Sequence, residues 1–211
     1  MNAGGPDDAA VADGGVTDGE LDRAAAAVAD GEAVVYPTET VYGLGADATD
    51  PAAVDRVFEL KDRPRERPLS VAFGDVEAAL SLLPATDRAA RFARAFLPGP
   101  VTVVVDRGDA LPPELVDGGS RVGIRVPDHA TARALADAAG PTTATIANRS
   151  GAGSVRRVTD LDARVREGAA VVLDGGETPG GESTVVDPDR GVIHRAGPLA
   201  DRIREWLATE P

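Results

Sequence analysis

A loop rich in hydroxyl side chains follows the first apolar segment of the chain. It spans residues 36–48, reads YPTETVYGLGADA, and carries Thr38 and Thr40 on either side of an acidic residue. Two glycines further along allow backbone turns, or the close approach of a ligand, that a side chain would obstruct. Function tends to reside on loops that a rigid scaffold holds in place. The loop is therefore the first candidate for a ligand-binding segment.

A single basic cluster stands out in an acidic chain. Of the 22 basic residues one, Lys61, is lysine and the rest are arginine, and it begins the segment KDRPRERP, which also holds Arg63 and Arg67. A lysine ammonium is a compact charge suited to phosphate, and arginine adds planar bidentate contacts. The alternative is a solvated helix end, where basic side chains complement the helix dipole. Because the sole lysine lies within this cluster, we favour an anion-binding site.

Polar side chains at or inside further predicted strands supply more candidates. The segment NRSGAGS, from Asn148 to Ser154, offers an amide, hydroxyls and backbone donors for an anion or a nucleobase, although Gly/Ser loops are more often plain connectors. Arg125 lies in an otherwise apolar strand pattern, which leaves open whether it faces solvent or clamps a carboxylate. Ser183 begins one predicted strand and Arg195 ends another, so both are polar candidates at strand ends.

The standard nucleotide-binding and catalytic motifs do not fit. Residues 43–48 have the form GxGxxA, but the dinucleotide fingerprint opens directly into a helix, whereas here a helix begins only after Asp50. The lone lysine has no P-loop context, there is no GxSxG elbow, and neither His129 nor His194 stands in a triad context. With no cysteine and two histidines, no transition-metal site is expected and we assign no metal ligands.

Short apolar strands and amphipathic helices alternate along the chain and must position these residues. Capping residues and apolar periodicity predict the elements, namely helices over 17–29, 50–61, 75–83, 86–97, 128–139, 159–167 and 198–207, and strands over 33–36, 69–73, 101–105, 121–126, 142–147, 169–173, 183–186 and 192–195. This alternation predicts one α/β domain, residues 17–208, with a largely buried mixed sheet. Residues 1–16, rich in Gly, Asp and Ala, predict a disordered acidic tail.

Charge and composition restrict the habitat and the partners. The net charge of −13 opposes unspecific binding to nucleic acid or an anionic membrane. Abundant Asp and Ala with one Lys are typical of a halophile with a GC-rich genome, where multimolar salt reduces the Debye length to ~3 Å or less. No apolar run reaches the roughly 20 residues of a membrane span. The first 20 residues carry no basic side chain, unlike a signal peptide, so we expect a cytoplasmic protein.

Seven sequence blocks together resemble the YrdC-domain family. In chain order they are YPTETVYGLGADA, KDRPRERPLSVAF, PGPVT, VGIRVPDH, IANRSGAGS, GGESTVVD and HRAGPL, spanning residues 31–199. The similarity is to the threonylcarbamoyl-AMP synthases of that family, in their single-domain archaeal form. It implies a YrdC-like α/β fold in which a large twisted mixed sheet and flanking helices surround a deep basic cavity. It also implies a nucleotidyltransferase that makes L-threonylcarbamoyl-AMP and pyrophosphate from L-threonine, bicarbonate and ATP, normally with magnesium.

The same resemblance implies partners and residue roles. A separate complex would transfer the threonylcarbamoyl group to an adenosine beside the anticodon of tRNAs that read ANN codons. Roles carried over residue by residue fall into three groups: contacts to threonine (Thr38, Thr40, Arg125 and Ser183), contacts to the nucleotide (Lys61, Arg63, Arg67, Asn148, Ser154 and Arg195), and, within the second group, charge stabilisation at the triphosphate (Lys61, Arg63 and Arg195).

Three positions depart from the family pattern, and two other functions stay open. Ala72 stands where some relatives have histidine, Arg121 replaces a small hydroxyl residue near the ATP site, and Ile146 replaces a serine. One alternative is an RNA-binding module, against which the acidic total and the scarcity of aromatic residues count. The other is a carbamoyl-transfer module like the hydrogenase-maturation relatives, which carry added acylphosphatase-like and zinc-finger domains.

Overall fold

The computed structural model describes residues 15–210. Its strands are β1 (Val34–Tyr36), β2 (Gly43–Gly45), β3 (Ser70–Ala72), β4 (Val101–Asp106), β5 (Arg121–Arg125), β6 (Thr142–Ile146), β7 (Val171–Val172), β8 (Thr184–Asp187) and β9 (Val192–Arg195). Its α-helices are α1 (Asp18–Ala29), α2 (Pro51–Lys61), α3 (Val76–Leu82), α4 (Asp87–Phe96), α5 (Ala130–Ala139), α6 (Ala163–Gly168) and α7 (Ala200–Thr209). The predicted α/β architecture is confirmed.

The nine strands form one mixed sheet in the order β7-β1-β2-β6-β3-β5-β4-β8-β9. Three neighbouring pairs, β1–β7, β3–β5 and β4–β8, are parallel, and the other pairs are antiparallel. Side chains alternate between the two faces of a strand. In β1, Val34 and Tyr36 pack with α1 and α5, whereas Val35 belongs to the larger core that includes α2, α4, α6 and α7. Helices therefore cover both faces of this part of the sheet.

The central strands direct alternate side chains to two different environments. Val71, Val103 and Ile124 enter the larger core, while the alternate residues of the same strands, among them Ser70 and Gly123, line a cavity on the other face. A Cβ atom on Gly123 would lie 2.8 Å from the Ser70 hydroxyl oxygen, so glycine is needed there for the strands to pack side by side. The exposed face of the central sheet thus forms the floor of the cavity.

The capping signals that define the first two helices are present. Thr17 and Glu20 form a reciprocal capping box at α1, and the Asp50 carboxylate accepts a hydrogen bond from the Ala52 amide at the start of α2. The predicted disordered tail lies largely outside the described residues. Val16, the last residue of the predicted tail, is buried against α1 and α5. No helix among the described residues is long and apolar enough to cross a membrane.

The segment expected to be a loop contains a strand, and this prediction was wrong. Gly43 and Gly45 form β2, paired with β1 and β6. A Cβ on Gly43 would lie 2.8 Å from the Tyr36 ring, and one on Gly45 would lie 2.5 Å from the Thr142 methyl group. Glycine inside a strand marks the close approach of a neighbouring group as well as a turn. The two glycines admit the Tyr36 ring against the sheet.

Candidate active site

A cavity of about 880 Å³ lies over the uncovered face of the central strands. Among residues 15–210, six arginines and two acidic residues line it: Arg63, Arg67, Arg121, Arg125, Arg190, Arg195, Glu182 and Asp187. This excess of basic side chains contrasts with the net charge of −13 for the whole chain. Hydroxyl groups and backbone amides of the surrounding loops complete the walls. The cavity is suited to anionic ligands.

Strand β5 gives the cavity two ends. Arg121, Gly123 and Arg125 share the cavity face because they are two residues apart. At ~3.3 Å per residue, the two arginines lie about 13 Å apart along the strand. Arg125 is paired with Ala72 of β3, and Arg121 with Asp106 of β4. Arg125 marks one end of the cavity, the Arg125 end, and Arg121 marks the other, the Arg121 end.

Arg125 faces the cavity, which resolves the alternative left open by its strand pattern. Its Nη2 atom donates to Glu39 Oε1 at 2.6 Å, and the two side chains are 14% and 13% exposed. Arg125 Nε and Glu39 Oε2 have no hydrogen-bond partner among the described residues. A guanidinium held from one side by a carboxylate can still bind a second carboxylate through its remaining N–H groups.

The loop that carries Thr38 and Thr40 is held in shape by hydrogen bonds to its own hydroxyl groups. Thr38 Oγ1 accepts hydrogen bonds from the amides of Thr40 and Val41 at 3.2 Å and lies 3.0 Å from Thr40 Oγ1. Both threonine side chains are buried and line the cavity near Tyr36. The Thr40 carbonyl accepts a hydrogen bond from Gly180 at 2.6 Å. The glycine-rich segment after β7 therefore closes over this loop.

Ser183 connects strands β4 and β9 near the Arg125 end through its hydroxyl group. Its hydroxyl lies 2.9 Å from Thr102 Oγ1 and accepts a hydrogen bond from Arg195 Nη2 at 2.9 Å. Arg195 Nε donates to the Ser183 carbonyl at 3.0 Å, and Nη1 lies 3.5 Å from Glu182. The pairing of β8 with β9 produces this contact. Ser183 and Arg195, predicted for different ligands, are direct neighbours.

Lys61 is buried beneath the cavity wall and does not line the cavity. Its Nζ atom donates to the Ile146 carbonyl, to the Asn148 carbonyl at 2.6 Å and to Asn148 Oδ1 at 3.0 Å. The Lys61 carbonyl also accepts from the Ser150 amide at 2.8 Å. The sole lysine thus fixes the end of β6 and the loop that follows it.

Asn148 and Ser154 belong to this loop, and Arg63 and Arg67 lie in the basic segment before β3. Asn148 Nδ2 donates to the carbonyls of Ala152 and Gly153, which folds the loop back on itself. Arg63 donates to the carbonyls of Arg67 and Pro68 at 2.8 and 2.9 Å. Burial, and to a smaller extent Arg67, lowers the pKa of Arg63. Arg67 and Ser154 have exposed side chains that line the cavity.

The buried ammonium is expected to titrate near neutral pH. Burial, with a smaller contribution from Arg63, lowers the pKa of Lys61 to about 7, whereas a lysine in an unfolded chain titrates at about 10.4. Between these values the unfolded protein binds more protons than the folded one, so this group makes stability rise with pH across that window. Because the chain has one lysine, NMR of protein labelled at lysine Cε gives a single titrating resonance. A midpoint above 10 in the folded protein would contradict the expectation.

Two cavity residues were missed as functional candidates. Arg121 was noted from the sequence as a departure, but its partner Asp187 was not singled out. Arg121 Nη2 donates to Asp187 Oδ1 at 2.7 Å, and the Asp187 side chain is fully buried. The alternation of β5 could have placed Arg121 on the same face as Arg125. Nothing in the local sequence pairs it with a residue 66 positions away.

Comparison with known proteins gives concordant matches. The Sua5_yciO_yrdC family model, described as Telomere recombination, matches residues 26–197. The chain is 40% identical over 190 residues to the threonylcarbamoyl-AMP synthase of Bacillus subtilis, covering 85% of this chain and 54% of that protein. It is 37% identical over 195 residues to a putative threonylcarbamoyl-AMP synthase of Mycobacterium leprae, covering 89% and 88%.

A solved structure also matches. The crystal structure of P. abyssi Sua5 complexed with L-threonine has a TM-score of 0.80 at 36% identity, covering 90% of this chain and 57% of that one. The chain therefore spans about half the length of the Bacillus protein and of P. abyssi Sua5.

Proposed function

The chain belongs to the Sua5/YciO/YrdC family, and from this premise we propose that it is an L-threonylcarbamoyl-AMP synthase. The enzyme would form L-threonylcarbamoyl-AMP and pyrophosphate from L-threonine, bicarbonate and ATP. One observation supports this most directly. A single cavity joins an inward-facing arginine, Arg125, and buried hydroxyl groups to further arginines along its other walls. An amino acid and a nucleotide would thus meet in one chamber.

The Arg125 end would hold L-threonine. The guanidinium of Arg125 would bind the α-carboxylate, while Glu39 keeps the guanidinium oriented and offsets its charge. Thr38, Thr40 and Ser183 would hydrogen-bond the remaining polar groups of the amino acid. The threonine-bound structure of P. abyssi Sua5 supports a threonine site in this fold.

One wall of the cavity, the phosphate wall, would hold the triphosphate. It consists of the basic segment 61–68 and the loop after β6, from Asn148 to Ser154. Arg63 and Arg67 would contact phosphate oxygens from one side, and the exposed loop residue Ser154 would add a hydroxyl. Arg195, on β9 beside Ser183, would add positive charge from the opposite side of the cavity. Lys61 would act through the loop, because its ammonium is occupied by Ile146 and by Asn148, which it holds beneath the nucleotide.

The proposed reaction needs no covalent intermediate with the protein. The threonine amine attacks bicarbonate or dissolved carbon dioxide to give a carbamate, with loss of water or a proton. A carbamate oxygen then attacks the α-phosphorus of ATP, and the bond to the β-phosphate breaks with release of pyrophosphate. The protein would contribute alignment of the two substrates and stabilisation of the charge that develops on the phosphates.

Magnesium would accompany ATP. Among residues 15–210 there is no cluster of three or more His, Cys, Asp or Glu side chains suited to a metal ion. Magnesium commonly keeps several waters and binds through substrate phosphates. We therefore propose that it enters as the counter-ion of the triphosphate, with the arginines neutralising the remaining charge.

The biological setting follows from the proposed product. L-threonylcarbamoyl-AMP would pass to a complex that modifies adenosine beside the anticodon of tRNAs reading ANN codons. Such a reaction would take place in the cytoplasm. The use of arginine in place of lysine at all but one basic position, together with the net charge of −13, supports a halophilic protein.

The proposal predicts pyrophosphate release that requires all three substrates. In multimolar potassium chloride, purified protein with ATP and bicarbonate is expected to release pyrophosphate only when L-threonine is added. Mass spectrometry with ¹³C-bicarbonate should show one labelled carbon in the adenylate product. Absence of threonine-dependent release across a range of salt concentrations would contradict the synthase assignment. Salt-sensitive tRNA binding without turnover would favour the RNA-binding alternative.

A further inference from the structure

The Arg121 end contains a buried carboxylate oxygen without a hydrogen-bond partner. Asp187 Oδ1 accepts from Arg121 Nη2 at 2.7 Å and from the Arg190 amide at 3.1 Å. Asp187 Oδ2 has no such partner among the described residues, and Arg190 Nε lies 3.7 Å from it. The side chain is fully buried and lines the cavity. Buried carboxylate oxygens are normally satisfied by donors, and an ionised carboxylate can only accept.

The charges around this oxygen exclude a phosphate group as its partner. Arg121 is shared among three carboxylates, those of Asp106, Asp187 and Asp189, at distances of 2.7–3.4 Å. With Arg190 included, the cluster has three acidic and two basic groups. Its net negative charge would repel an anion, unlike the wall formed by Arg63 and Arg67. An uncharged group with a hydrogen-bond donor would be attracted.

The sheet register gives the position of the Asp187 carboxylate relative to the phosphate wall. Ser70 of β3 is paired with Gly123 of β5 and with Ala144 of β6. Moving two residues along each strand brings Arg121 and Ile146 to the same end of the sheet, where Lys61 fixes the loop after β6. The carboxylate on β8 is then three strand spacings from β3 and four from β6, or roughly 14 to 19 Å from the phosphate wall. That separation is comparable with the length of a nucleotide.

We propose that Asp187 accepts a hydrogen bond from the nucleoside part of the bound nucleotide, and that Arg121 is the positioning residue for its carboxylate. The donor would be a ribose hydroxyl or an exocyclic amine of the base, since both are uncharged donors at the end of the nucleotide away from the phosphates. This assignment rests on the proposed use of ATP. It makes Asp187 a determinant of nucleotide specificity.

Changes to the ligand test the proposal without disturbing the fold. Binding of ATP, 2′-deoxy-ATP, 3′-deoxy-ATP and purine riboside triphosphate to the full chain would be measured by calorimetry in high salt. The analogue that lacks the donor is expected to bind about 10-fold to 100-fold more weakly than ATP, as for loss of a hydrogen bond to a charged group. The identity of that analogue distinguishes the ribose from the base.

A matched pair of variants identifies the acceptor. Asp187→Asn keeps the oxygen that bonds Arg121, removes the charge, and should reduce the discrimination between ATP and that analogue at least threefold. Asp106→Asn removes the charge of an exposed partner of Arg121 outside the cavity lining and should leave the discrimination unchanged. Equal binding of all four nucleotides to the unchanged protein, or equal discrimination by Asp187→Asn, would overturn the proposal. Nucleotide binding without threonine-dependent pyrophosphate release would instead contradict the synthase function.

Discussion

Replacing Arg125 with lysine is expected to lower kcat/KM for L-threonine by about 100-fold, through a higher KM for threonine. Lysine retains the positive charge opposite Glu39, so the buried ion pair survives. What is lost is the planar fork that can bind a second carboxylate while one N–H group is engaged by the first. Loss of a hydrogen bond to a charged group costs about 1.5–3 kcal/mol, and 100-fold corresponds to about 2.7 kcal/mol.

The test of Arg125 compares both substrates in one assay. Initial rates of pyrophosphate release would be measured with each substrate varied, and the KM for ATP should stay within about twofold, since Arg125 lies at the threonine end. Arg107→Lys is the control for a generic Arg-to-Lys change, because Arg107 donates hydrogen bonds within the protein, to the carbonyls of Leu111 and Gly119, but does not line the cavity. A threonine KM that is unchanged in Arg125→Lys would remove Arg125 from the substrate site.

Replacing Lys61 with methionine is expected to reduce both stability and nucleotide binding. Methionine has a similar length and preserves most of the packing, but Ile146 and Asn148 lose a donor inside the protein. Buried acceptors left unsatisfied cost about 1–3 kcal/mol each. The avoided desolvation of the ammonium offsets part of that cost. We expect the free energy of unfolding to fall by about 2 kcal/mol and ATP affinity to fall about 10-fold, because the loop after β6 loses its anchor.

Denaturant unfolding at pH 6, where the Lys61 ammonium is protonated, measures the first effect, and calorimetry with ATP measures the second. Arg65→Met is the control within the same basic turn. Arg65 pairs with Asp55 and lies over the Phe58 ring, yet it is partly exposed and outside the cavity. Its loss should cost less than about 1 kcal/mol and leave ATP affinity unchanged. An unchanged stability in Lys61→Met would show that its hydrogen bonds carry little net energy.

Most of the secondary structure could be predicted from local signals. The capping residues Thr17 and Asp50 and the apolar periodicity that follows them define helices whatever the rest of the chain does, since these effects act within one turn. The missed strand was β2, where Gly43 and Gly45 indicated a loop. Those glycines are required by contacts with Tyr36 and with Thr142, which lies about a hundred residues away, so no local pattern carried that information.

The sequence by itself determined the chemical inventory of the cavity: its hydroxyl loop, its basic turn, Arg125 and the loop from Asn148 to Ser154. Residue type and the order of the blocks carry that information without any knowledge of distances. The tertiary structure alone decided how those groups are used. It turned Arg125 inward against Glu39, buried the Lys61 ammonium beneath the wall, and brought Asp187 to Arg121 across the sheet. These outcomes depend on strand register and on the desolvation of charge, which arise only when distant segments pack together.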